Sequence, residues 1–211
     1  VRNEAGGIRA ALEALAPLRA RGHEVIVADG GSEDGTVDLA REFCDRLLIC
    51  ARGRALQMNA GAGAASGDIL VFLHADTALP PDAPGLIAQA MKNHVWGRFD
   101  VEIQGSHPLL KVVAWSMNLR SRLTGIATGD QAIFVRRDAF PGFAEIPLME
   151  DVAFSKAMQR RGPPACLRSR VRTSGRRWES RGVLRTVLLM WRLRLAYALG
   201  ADPARLVEKY R

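Results

Sequence analysis

The chain has 211 residues, 48% hydrophobic and 25% charged, enough for one globular domain with a sizeable core. Its three cysteines, Cys44, Cys50 and Cys166, are odd in number and form no CxxC pair, which excludes a disulfide framework or zinc site and suits reduced intracellular thiols. No signal peptide and no uncharged apolar run of about 18 residues is present, and the net charge is +8.

Val1-Arg2-Asn3-Glu4 has the character of a loop that follows a strand, yet no strand precedes it. A trimmed chain, or a start placed late, would leave apolar edges open on the neighbouring strands. Asn3 is expected to cap a helix from Glu4 to Arg19, with Ile8, Leu12, Leu15 and Leu18 on one face. A strand follows from Glu24 to Ala28, then a helix from Thr36 to Asp45 and a short strand from Arg46 to Cys50. The Ala- and Gly-rich stretch Ala55 to Ala65 predicts a closely packed helix. Ile69-Leu70-Val71-Phe72-Leu73 is continuously apolar, as a strand covered on both faces should be. A helix opening at Leu79-Pro80-Pro81-Asp82 reaches His94.

This β/α alternation predicts a doubly wound, mostly parallel sheet with helices on both faces. The second half reads differently. Val95 to Gly105 alternates as a half-exposed strand, His107 to Leu123 is an apolar-faced helix, and Gln131 to Arg136 is a strand. Helices are expected over Asp151 to Arg161 and Val183 to Leu199. The basic excess is concentrated late: eleven arginines lie between Arg160 and Arg194, opposed only by Glu179. So basic a block suits phosphate on a nucleotide, a nucleic acid or a lipid headgroup.

Two apolar strands end in acids. Val25-Ile26-Val27-Ala28-Asp29 runs into Gly30-Gly31-Ser32-Glu33-Asp34-Gly35-Thr36, and the second strand ends in His74-Ala75-Asp76. In a parallel sheet both carboxylates emerge at one edge and can face one ligand. An acid there, with a diphosphate, can hold Mg²⁺ or Mn²⁺, since such ions share oxygens with phosphate. An ordinary βα connection, with Asp34 or Thr36 as a cap, explains the first loop equally well. Asp76 alone reads as a cap or turn residue.

Asn3-Glu4, the run Asp29 to Thr36, Arg54 with Asn59-Ala60-Gly61, and His74-Ala75-Asp76 together resemble the inverting family-two glycosyltransferases of GT-A fold. Gly129-Asp130-Gln131 and Met149-Glu150-Asp151 extend the likeness, which covers residues 1–165. The phrases Phe72 to Thr77, Trp96 to Asp100 and Thr173 to Trp178 resemble a small bacterial subfamily of selenodomain-associated, or arsenosugar-biosynthesis, transferases. The likeness implies a single domain: a nucleotide-sugar half over 1–94, an acceptor half over 95–165 and a basic extension with an amphipathic helix over 166–211.

The resemblance also implies roles. Asn3, Glu4, Asp29, Gly31 and Asp34 would form the nucleoside site, with Arg54, Ala75 and Asp76 near the diphosphate. Asp76 would ligate the metal. His74, the second metal candidate, stands where that family usually has its first acid, which leaves both the metal's identity and the need for one open; a contact to sugar or ribose is the alternative for it. Asp151 would be the catalytic base, while Asp130, Gln131, Glu150 and Trp178 would meet the acceptor. Arg176 and Arg177 would close on the diphosphate. Each has a plain structural alternative: a surface arginine for Arg54, a turn for Asp130-Gln131, helix capping for Glu150-Asp151 and a solvated basic loop for Arg176-Arg177.

The activity so implied is transfer of a sugar from a nucleotide-diphosphate donor to an acceptor hydroxyl with inversion. Two other classes stay in view. A nucleotidyltransferase shares the sheet but wants a Gly-rich basic loop after its first strand, where this chain has Asn3-Glu4. An RNA- or membrane-binding α/β module would use the arginine block, although few aromatics (6%) interleave it and nucleic acid is disfavoured. Leu184, Val187, Leu188, Trp191, Leu195 and Leu199 form an apolar stripe on the last helix, with Arg181, Arg185 and Arg192 on another face. Such a helix can lie in an anionic lipid surface, pack on the domain or serve a homodimer. The expected location is cytoplasmic, with peripheral contact at the inner membrane face.

Overall fold

A computed structural model describes residues 1–210. The expected first helix is broken into α1 (Ile8–Glu13) and α2 (Ala16–Arg19). Pro17, in the first turn of α2, has no N–H to carry the helix through. Asn3 does not cap: Gly7 holds that position, and Asn3 sits at φ 53° with its side-chain oxygen accepting from the Glu33 amide, 3.0 Å.

The strand β1 (Ile26–Asp29) pairs in parallel with β2 (Arg46–Ile49), and α3 (Thr36–Arg41) connects them. Along the other side of β1, the Val1 amine donates to the Ala28 carbonyl (2.7 Å) and the Gly30 amide donates to the Val1 carbonyl (3.0 Å). The helix α4 (Arg54–Ala64) packs on β1. Its Gln57 amide donates to the Val1 and Ala28 carbonyls at 2.6 and 3.2 Å.

A second sheet contains β3 (Ile69–Val71), β4 (Thr77–Ala78), β5 (Trp96–Gln104), β6 (Phe134–Arg136) and β7 (Ala165–Ser174), in the order β3-β6-β5-β7-β4. β5 and β7 run parallel; the other pairs in this sheet are antiparallel. Around it lie α5 (Ala83–Ala90), α6 (Leu109–Thr124), α7 (Glu150–Gln159), α8 (Arg176–Arg181), α9 (Val183–Ala198) and α10 (Pro203–Tyr210). The α/β class expected from the sequence is borne out.

Three differences from the sequence reading matter for the site. β5 is interior rather than half-exposed, because Arg98 and Asp100 are buried against each other instead of facing water. Arg122 of α6 completes that ion cluster, 2.6 Å from Asp100. Gly129–Gln131 forms a 3₁₀ turn ahead of β6, so the strand starts later than expected. β7 was hidden by its charge. Arg168, Arg170 and Arg172 face solvent while Val171 and Thr173 alternate inward, a period-2 pattern obscured by the arginine block.

Candidate functional site

The loop after β1 is held by its own acids. Asp29 is fully buried, one oxygen accepting from the Gly31 and Ser32 amides (2.9 and 2.8 Å) and the other from the Ser32 hydroxyl. Asp34 accepts from the Thr36 amide and hydroxyl and from the Ala5 amide. These bonds, the Thr36 hydroxyl first among them, hold the Asp34 carboxyl below its usual range. The Asn3 amide donates to the Ser32 hydroxyl, and the Glu4 amide to that of Thr36, each at 2.8 Å. Residues 1–5 and 29–36 are therefore one interlocked unit. Gly35, at φ 83°, makes the left-handed entry to α3 that a side chain would strain.

The His74-Ala75-Asp76 loop adjoins this unit, since Ala75 packs against the apolar cluster of Val1, Ile8 and Val27. The loop that carries Asp76 thus packs against the layer that holds β1, although β1 and β3 belong to separate sheets. Asp76 is exposed, with only the Thr77 hydroxyl near its carboxylate, at 3.4 Å. His74 turns the other way, its Nδ1 3.3 Å from an Asp130 oxygen. The Nε2–Cε1 edge of its ring points at Gly129, where an added Cβ would collide with both atoms. Burial works against the Asp130 charge, but His74, Arg54 and Arg177 outweigh it and hold the carboxyl low.

Beneath this pair starts α7. Met149, at φ 71°, makes the turn into the helix, and Glu150 and Asp151 occupy its first turn. Glu150 is 3% exposed and lies 3.5 Å from the Arg54 guanidinium at the start of α4. Asp151 accepts from the Val152 amide (2.7 Å) and the Gly129 amide (3.3 Å). Burial and then the neighbouring Glu150 carboxylate push its pKa up to about 6, with Arg54 opposing. Acids in a first helical turn suit the dipole, but neither caps the helix: Met149 holds the N-cap position, without a side-chain bond.

β7 delivers the basic segment to the same place. Its Thr173 hydroxyl accepts from the Thr77 hydroxyl at 3.0 Å, and the Ser174 amide donates to the Asp76 carbonyl at 3.2 Å. Arg177, one residue into α8, stacks on the Tyr210 ring with its guanidinium 4.4 Å from the centroid. Tyr210 also lies within electrostatic reach of Arg54, so α10 adjoins the cationic side of the site. Arg176 turns instead to the Ser174 hydroxyl, 3.1 Å.

Two residues expected at the acceptor serve the scaffold. Gln131 is fully buried, its oxygen accepting from Thr128 (3.1 Å) and its amide donating to Asn118 (3.5 Å). Trp178 packs into the main apolar core. Asn59 likewise exchanges two hydrogen bonds with the Phe143 backbone, at 2.9 and 2.8 Å.

Sequence reasoning missed Tyr210, Gln57 and Arg120. Arg120 on α6 feels the Asp151 charge, and its Nε and Nη2 are shut from water with no hydrogen-bond partner. Burial pulls its pKa down. Nothing in the sequence marks it, because it lies in an amphipathic helix among other arginines. The tail position of Tyr210 likewise conceals its return to Arg54.

The structure therefore gathers His74, Asp76, Asp130, Glu150, Asp151, Arg54 and Arg177 beside the locked β1 loop. Asp76 offers a free hard oxygen donor next to an imidazole–carboxylate pair. A divalent ion that completes its shell with phosphate oxygens and water fits such a donor set. Among the described residues no group of three His, Cys, Asp or Glu converges on a single point.

The sequence profile described as Glycosyl transferase family 2 matches residues 1–142. No curated protein matches the chain. Among solved structures the chain is similar to mannosyl-3-phosphoglycerate synthase from Rubrobacter xylanophilus (TM-score 0.62, 16% identity, 95% of this chain and 73% of that one). It is also similar to the mannosyltransferase PcManGT from Pyrobaculum calidifontis in complex with GDP-Man and Mn²⁺ (0.65, 20%, 93% and 59%). A third is S. aureus TarS 1–349 in complex with UDP (0.64, 18%, 82% and 58%). The chain thus spans less than two thirds of the last two. At these identities the likeness establishes a shared fold, the GT-A architecture.

Proposed function

The chain belongs to glycosyl transferase family 2, and on that premise we propose that it moves a sugar from a nucleoside-diphosphate donor to an acceptor hydroxyl with inversion at the anomeric carbon. The observation that carries this reading is Asp151: a carboxylate raised to about 6 and set beside a cluster of cations. A general base works best when its pKa lies near the working pH.

In this mechanism the acceptor hydroxyl attacks the anomeric carbon from the side opposite the diphosphate. Asp151 takes its proton as the bond to the leaving phosphate breaks. Arg54 and Arg177 neutralise charge growing on that phosphate, a task suited to a forked cation. Asp76, with His74 beside it, would hold a divalent ion whose contribution is Lewis-acid charge neutralisation at the diphosphate. Asp130 keeps His74 oriented, and Glu150 keeps Arg54 charged and aimed. One displacement inverts the configuration, by the geometric logic that separates inverting from retaining glycosidases.

Support for a nucleotide donor comes from the relatives solved with GDP-Man and Mn²⁺ and with UDP. A narrower kinship with selenodomain-associated or arsenosugar-biosynthesis transferases rests on three phrases. Two of these touch, through the Thr77–Thr173 hydroxyl pair. The test is proton NMR of the first product formed from an α-linked nucleotide sugar. A β-linked product supports the assignment; an α-linked product assigns a retaining route and removes Asp151 from the role of base.

A further inference from the structure

Twelve large hydrophobic side chains are exposed among the described residues, and nine belong to one helix pair. On α6 these are Val112, Trp115, Leu119 and Leu123, the last 77% exposed. On α9 and its C-cap they are Leu184, Leu188, Trp191, Leu195 and Leu199, at 61–80% exposure. The spacing is that of a helix face, i, i+3, i+4 and i+7. Each helix also has an inward apolar face. Leu110, Val113 and Ala114 of α6 enter the same core cluster as Val183 of α9. The two helices therefore touch and share one core through their inner faces, and each turns an apolar stripe outward.

The sequence pattern singled out α9 alone; α6 read as a helix with one apolar face, and the structure gives it two. Charge decides what covers the patch. Neither helix contains an Asp or Glu. Between them they carry Lys111, Arg120, Arg122, Arg185, Arg192 and Arg194, of which Lys111, Arg122, Arg185 and Arg192 are exposed, Arg122 being paired with Asp100. A two-fold dimer through this face would set cationic rim against cationic rim, with no acid on either copy's helices to offset the repulsion. An aliphatic centre also offers nothing to RNA, which wants stacking platforms. Exposed tryptophans and leucines framed by arginines match the boundary between acyl chains and anionic headgroups.

We propose that the joined α6–α9 face is a docking surface for an anionic lipid bilayer, on which the protein lies without crossing it. No helix among the described residues is long and apolar enough to span a membrane.

The test uses the full chain and vesicles of phosphatidylcholine, with or without about a third phosphatidylglycerol. Binding to the anionic vesicles is expected to exceed binding to the neutral ones by about tenfold and to weaken with salt. Trp115→Ser with Trp191→Ser, and separately Arg185→Glu with Arg192→Glu, should each lower binding about tenfold without changing the melting temperature, since all four side chains are exposed. Lipids brominated in the acyl chain should quench the wild-type tryptophan fluorescence and spare that of the Trp115→Ser, Trp191→Ser protein. Of its remaining indoles, Trp96 is fully buried and Trp178 is half-buried against the core. Equal binding to both vesicle types, no binding, or a dimer in light scattering that the tryptophan variant dissolves would each overturn the proposal.

Discussion

Replacing Asp151 by Asn separates the base from the scaffold. In the folded protein this carboxyl titrates at about 6, against about 3.9 for an unperturbed aspartate. Between those values the folded state binds more protons than the unfolded one, so stability falls as pH rises. The contribution of Asp151 is fully present below about pH 4 and is lost through about pH 6. That difference corresponds to about 3 kcal/mol, which the ionised side chain costs the fold at neutral pH. Asn keeps an oxygen for the Gly129 amide and carries no charge. The variant should therefore melt higher at pH 7.5, by several degrees at about 2–4 °C per kcal/mol, and match the parent at pH 4. Its transfer rate should drop about 10²- to 10⁴-fold. Thermal denaturation at the two pH values, with nucleotide release as the turnover assay, reads both effects. Equal destabilisation at both pH values, with turnover retained, would refute the reasoning and leave Asp151 as a hydrogen-bond acceptor only.

The wild-type kcat/KM should rise with pH through about 6 and then level, following ionisation of Asp151. Arg54→Met removes the cation 3.5 Å from the buried Glu150 and the one opposing the Asp151 shift; nucleotide binding should weaken and the acid limb of that profile move upward. Gly129→Ala drives a methyl into His74 and should separate His74 from Asp130, costing about 1–3 kcal/mol in urea denaturation. Asp76→Ala, at an exposed side chain, should leave folding intact and abolish the Mn²⁺-dependent part of nucleotide binding measured by calorimetry.

Much of this arrangement was legible in the sequence because period and punctuation survive in it. The apolar runs gave β1 to its end at Asp29 and β3, which stops at Val71 short of the His74-Ala75-Asp76 loop, and the long helices over residues 109–124 and 183–198 followed from their stripes. What stayed hidden depends on contacts between distant segments. β5 alternates like a surface strand, yet its polar positions neutralise one another through Arg98, Asp100 and Arg122. β7 lies in a charge block that masks its period, although it carries Arg177 to the site. Asp29 was expected to face the nucleoside, but both its oxygens hold its own loop, a local use that composition cannot distinguish from ligand contact. Gln131 and Trp178 are of residue types that bind sugars, and only burial shows them engaged in the scaffold.

The central claim is that the two strand tips, Arg54 and Arg177 grip one pyrophosphate. A thermal-shift measurement with UDP, GDP and dTDP, each with Mn²⁺ and with Mg²⁺, addresses it most directly. At least one nucleotide with metal should raise the melting temperature of the full chain. No shift with any of the three under either metal would contradict the account.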